Sequence, residues 1–187
     1  MLSGCWVSSV NGLVEESDFT VHLDPEVVVD QRLAGTWEVT ADNCTTTLTV
    51  TLKERMYDLA STEQGEKCVD PGKTDYRQAH LVKLGDHFFL DVFPPPDDVC
   101  EMCLPLHWIF LAKFDEDVLS LTPIDSKWLK KSVEQKTVEL ATISGNTDKI
   151  AASVRDMKAF CRKYGDDKEA FAQTPGDVFR RKNQSRP

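Results

Sequence analysis

A chain of 187 residues with 22 basic and 31 acidic side chains, a formal charge of -9, fits one domain that is long enough to bury its own core. That charge repels phosphate backbones and anionic head groups, which argues against nucleic acid as a partner. No apolar run is long enough to cross a bilayer as a helix, so any membrane attachment has to be covalent lipid.

Residues 1 to 24 read as a flexible N-terminal tether, because Ser8, Ser9, Asn11, Glu15, Glu16 and Ser17 interrupt every short apolar pair. The folded domain is expected over 25–173. At its start Asp24-Pro25-Glu26 offers a cap with proline at the first helical position, predicting a helical turn that reaches Ala34 and ends at Gly35. From Thr36 the period becomes two, clearest in Leu48-Thr49-Val50-Thr51-Leu52-Lys53. Strands are predicted near 36–40, 46–53, 56–61, 75–84, 87–93, 105–114, 118–122 and 137–143.

The links between these strands alternate in length. Glu54-Arg55, Gly85-Asp86 and Asp115-Glu116-Asp117 are tight, whereas 41–45, 62–74, 94–104 and 123–136 are long, the last with a short helix at 126–132. Alternation of this kind predicts a mainly β fold, an eight-stranded antiparallel up-and-down barrel with its long loops at one end. Beyond the eighth strand Thr147 caps a helix whose apolar positions Ile150, Val154, Met157, Cys161 and Tyr164 face the outside of the barrel, and Gly165 stops it. Residues 174–187, with Arg180, Arg181, Lys182 and Arg186, read as a solvated basic tail.

Cys44, Cys68, Cys100 and Cys103 all fall in long loops, so the meander gathers them at one end. Two disulfides in an oxidising compartment are expected, with connectivity open. The alternative is a zinc site made by the four thiolates, with His107 as a substitute ligand. Cys161 reads as a small buried apolar group. Counting outward from Gly85-Asp86 pairs His80 with Asp91, a polar pair able to exchange a proton, on the face opposite Ala79, Leu81, Phe88, Leu90 and Val92. The apolar face is the core, so the pair is expected on the surface. Trp108 and Phe110 share a face with Ala112 and Phe114 and should point inward, as barrel filling or as ligand contacts; Trp128 is the candidate gate at the mouth. The chain has no phosphate loop, no Gly-x-Ser-x-Gly elbow, no His-Glu-x-x-His helix and no dinucleotide fingerprint, so it reads as a non-catalytic protein without a cofactor.

Leu2-Ser3-Gly4-Cys5 resembles the lipobox of bacterial lipoproteins. The resemblance implies lipid on Cys5, anchorage of an extracytoplasmic domain in the cell envelope, and a leader shortened to Met1. Gly35-Thr36-Trp37 at the opening of the first strand, followed by eight strands and a helix, is similar to lipocalins. That likeness implies a barrel floor closed at Trp37 and a mouth at the long loops. Together they imply a lipid-anchored binding protein for a small apolar ligand or an envelope component. A structural or interaction lipoprotein with a filled barrel, or a zinc-binding protein using the loop cysteines, are the alternatives.

Overall fold

The structure, a computed structural model, describes residues 7–15, 24–96, 106–143, 146–172, 174 and 177–182. Its elements in chain order are β1 (Ser8–Ser9), β2 (Val27–Val28), a 3-10 turn (Gln31–Leu33), β3 (Gly35–Ala41), β4 (Cys44–Lys53), β5 (Met56–Gln64), β6 (Thr74–Leu84), β7 (His87–Phe93), β8 (Trp108–Phe114), β9 (Val118–Pro123), α1 (Ser126–Glu134), β10 (Thr142–Ile143), β11 (Asn146–Ile150), α2 (Val154–Tyr164) and β12 (Val178–Arg181). Eight of the strands, β3 to β9 and β12, pair antiparallel in sequence order and close into a barrel.

The alternation seen in the sequence sets the two faces of this barrel. On β4 the side chains of Thr46, Leu48 and Val50 are buried while Thr49 and Thr51 face solvent. β-Branched residues suit such a half-buried pleated surface. Gly85 takes φ +65° in the tight turn between β6 and β7, and the register pairs Leu84 with His87, Val82 with Phe89 and His80 with Asp91, as counted from the sequence. The link expected as a long loop at 41–45 is instead a two-residue turn. Asp42 and Asn43 both sit at positive φ, 51° and 61°, which these two residue types tolerate and which suits the twist of a hairpin.

The eighth barrel strand is not the predicted 137–143. β12 fills that place, pairing with β9 on one side and β3 on the other, so part of the expected basic tail is a closing strand. Val138 and Leu140 alternate as a strand would, but they bury in a second core outside the barrel, and only Thr142–Ile143 pair, with β11. Phe179 is the apolar residue that β12 inserts into the interior. The 54 residues of 124–177 thus form an insertion between the seventh and eighth barrel strands.

That insertion and the N-terminal segment make an outer layer over β6, β7 and β8. The expected tether is part of it: Val7, Leu13 and Val14 are buried, and β1 runs parallel to β11. The helix near the C terminus packs outside the barrel as expected, through Met157, Phe160 and Cys161, but it starts at Val154 with Ser153 as cap. Thr147, expected as the cap, lies in β11. Asp24-Pro25-Glu26 leads into β2 and not a helix, as Val27-Val28-Val29 is a β-branched run that favours extended backbone. The helical turn is limited to Gln31–Leu33, capped by Asp30.

Candidate functional site

Two places collect polar side chains where burial makes them costly. The first lies between the barrel and its outer layer. Asp91 on β7 is fully buried, His107 just before β8 is 3 % exposed and His80 on β6 is 6 % exposed. The expected surface pair of His80 and Asp91 is therefore buried, because the N-terminal segment and α2 cover the face that the sequence left open. The carboxylate turns to a different histidine: His107 Nδ1–H donates to Asp91 Oδ1 at 2.8 Å, and the Leu13 backbone N–H donates to Oδ2 at 2.6 Å. His80 and His107 both stack on Phe93, with ring centroids 5.2 and 5.4 Å apart.

This arrangement ties the N-terminal segment to the barrel. Ser9 and His107 exchange two backbone hydrogen bonds of 2.8 Å, and Gly12 crosses so close that a Cβ there would overlap Asp91 Oδ2 and the His107 ring. Only glycine gives that approach. Cys161 is buried in the same core; burial first, and the Asp91 charge second, push its thiol well above the ordinary range, so it is an inert apolar filler and not a nucleophile.

The second place is the long-loop end of the barrel. Cys44 opens β4 and is joined by a disulfide to Cys68 in the loop after β5, with Cα atoms 5.1 Å apart. This confirms one staple among the loop cysteines; Cys100 and Cys103 lie outside the described residues, as does Cys5. On β5 the inward parity of Tyr57 and Leu59 continues through Ser61 to Glu63, which is 4 % exposed. Cys44 Sγ, Cys68 Sγ and a Glu63 carboxylate oxygen lie within 4.8 Å of one another, the only grouping of at least three His, Cys, Asp or Glu ligands so close among the described residues. His107, the substitute ligand of the zinc alternative, is not among them; its Nδ1 is held on the outer face by Asp91. Across from Ser61 and Leu59, Asp75 and Arg77 form an ion pair of 2.9 Å, and the Arg77 guanidinium lies 5.6 Å from the Trp108 ring centroid.

Below the mouth the barrel interior is lined by one apolar cluster. Phe110 and Ala112 pack inward with Leu48, Val50, Tyr57, Leu81, Leu119 and Phe179, and Trp108 packs half-buried at the edge of this cluster. Trp37 closes the floor, fully buried with its indole N–H donating to the Leu33 carbonyl at 3.0 Å. Arg181 covers it, 4.1 Å from the ring centroid, with Nη1 donating to the Ala34 carbonyl. Gly35, at φ +145°, leaves room for that guanidinium. Trp128 does not gate the mouth: it packs on the outer core beside Phe160 and Tyr164, with centroid distances of 6.2 and 5.2 Å.

Sequence reasoning missed Asp91–His107, Glu63 and Arg181. The parity of His107 with Ile109 and Leu111 was visible, but the register of β8 against β7 depends on a long connection that fixes nothing. Glu63 needed only the alternation of β5 to be carried two residues past 61. The molecule is a closed antiparallel barrel with Trp37 at its floor, a disulfide-stapled mouth and a buried Asp91–His107 hydrogen bond under an outer layer. No protein-family model, curated protein or solved structure matches the chain.

Proposed function

We propose that this protein is a non-catalytic, lipid-anchored extracytoplasmic interaction module, a filled barrel whose stapled mouth end meets an envelope partner. The observation that carries this reading is the barrel interior: the large side chains Trp37, Tyr57 and Phe179 are fully buried, which supports a barrel filled by side chains in place of a small apolar ligand. Tyr57 is no loose gate, since its hydroxyl accepts from the Asp30 N–H at 2.8 Å and donates to the Asp30 carbonyl at 3.1 Å. The Cys44–Cys68 bridge supports an oxidising compartment. Leu2-Ser3-Gly4-Cys5 supports lipid on Cys5, and with Val7 already in the outer core such an anchor holds the barrel against the bilayer instead of on a leash.

Titration with a fluorescent fatty-acid analogue, together with intact mass of protein taken from the envelope, tests the reading. A filled module gives no saturable one-to-one probe binding and no copurifying ligand, and its N terminus carries diacylglycerol and acyl mass on Cys5. Stoichiometric probe binding abolished by Val50→Trp, at an interior position, would return the barrel to the ligand-carrier reading.

A further inference from the structure

We propose that the Cys44–Cys68 disulfide masks a cation site: on reduction, the two sulfurs and the Glu63 carboxylate hold one soft divalent ion, zinc or a close analogue, at the mouth of the barrel. The inference goes beyond the interaction reading and does not rest on it. Its basis is the juxtaposition of three ligand atoms within 4.8 Å, two half-buried sulfurs and one carboxylate that is 4 % exposed. A disulfide guarantees only that two sulfurs are close. Nothing about it calls for a buried acid beside it, and Glu is among the residue types least often buried.

The backbone holds the third ligand in place. Glu63 sits opposite Thr46, two residues along β4 from Cys44, and its carbonyl accepts from the Gly72 N–H at 2.8 Å, which folds the loop bearing Cys68 back over β5. Gly65, at φ +140°, lies so near the Asn43 carbonyl that a Cβ would overlap it, so the loop and the β3–β4 turn are packed directly together. A tetrahedral zinc with sulfur ligands at about 2.3 Å and oxygen at about 2.0 Å needs its ligand atoms roughly 3.5 Å apart. Parting the sulfurs to that spacing is a side-chain movement within the existing cluster.

Charge decides when the site is usable. In the disulfide form the sulfurs carry no charge and are poor ligands. A dithiol reductant supplies two electrons and two protons, becoming a disulfide itself, and leaves Cys44 and Cys68 as thiols. A divalent ion displaces both thiol protons, so two thiolates, one carboxylate and the ion leave the site at a net charge of -1, with solvent in the fourth position.

The test uses the full chain carrying Cys100→Ser and Cys103→Ser, titrated with cadmium ion alone and read by thiolate-to-metal absorption in the ultraviolet, oxidised and then reduced. Circular dichroism checks that the barrel persists. The expected result is no binding before reduction, one cadmium per chain after it, a raised Tm with metal, and at least about a tenfold loss of affinity in Glu63→Gln, since even groups that only support a ligand cost that much when removed. Glu63→Asp, which keeps the charge, should fall between. The proposal is overturned if the reduced chain binds no cadmium, if the oxidised chain binds it as well, or if Glu63→Gln binds with parental affinity.

Discussion

The molecule has two cores, and they are built on different terms. Inside the barrel, Trp37, Leu48, Val50, Tyr57, Leu81, Phe110, Leu119 and Phe179 meet because neighbouring strands alternate in step. Outside it, Leu13 and Val14 from the N terminus, Val82, Phe89 and Ile109 from the sheet, and Leu129, Met157 and Phe160 from two helices meet only because distant segments dock. The inner core has its polar atoms at the ends of the barrel. The outer core carries the hydrogen bond of His107 to Asp91, and the Leu13 N–H bond to the same carboxylate registers the N-terminal segment on the sheet. A locally coded core needs no such key, whereas one assembled from separate segments gains position from a buried hydrogen-bonded charge.

The comparison is broken most severely from inside. Trp37→Ala removes the floor and strands the Arg181 guanidinium, and should cost about 4 kcal/mol in denaturant-induced unfolding, shared by every barrel strand. Asp91→Ala attacks the outer core, leaving the Leu13 N–H and His107 buried without their acceptor, at about 3 kcal/mol. Hydrogen exchange should separate the two variants: the Asp91 change exposes 7–15 first while the amides of β4 and β5 stay protected. Equal loss of protection in both regions would show that the cores are a single cooperative unit.

Cys44→Ser with Cys68→Ser should cost about 2–3 kcal/mol in denaturant-induced unfolding, since the bridge closes a separation of 24 residues. The smallest effect is acid sensitivity where α2 meets the segment 24–28. Burial raises the Asp24 and Glu26 carboxyls, but the hydrogen bonds and charge of Lys158, joined at Glu26 by Arg162, outweigh it and hold both below their ordinary values of 3.8 and 4.5. Groups held down in this way stabilise the fold at neutral pH and lose that contribution as pH falls from about 4.5 through their folded values. Exchange in α2 should therefore rise below about pH 4, and Lys158→Met, worth about 1 kcal/mol at pH 7, should weaken that dependence, leaving the part that Arg162 supplies at Glu26.

Legibility in the sequence followed the same division. The pairing of His80 with Asp91 came from a two-residue turn, and the inward set of Trp108, Phe110, Ala112 and Phe114 from simple alternation; both are seen in the structure. The partner that Asp91 chose was not legible, because His107 lies across a connection from 94 to 107 that leaves register free. The eighth strand was misplaced for a related reason. Val138 and Leu140 alternate as a strand would, whereas β12 offers the single inward apolar residue Phe179, and nothing local says which segment enters the barrel.

Periodicity and turn chemistry acting over a few residues were enough for the barrel class, for the inward and outward faces of β4, β6, β7 and β8, and for the packing of a helix outside. Long-range packing set the rest: β12 closes the barrel over Trp37, the N-terminal segment joins the outer core, and Asp91 pairs with His107 in a buried layer. Those outcomes turn on which distant surfaces bury each other, a competition that no local pattern encodes.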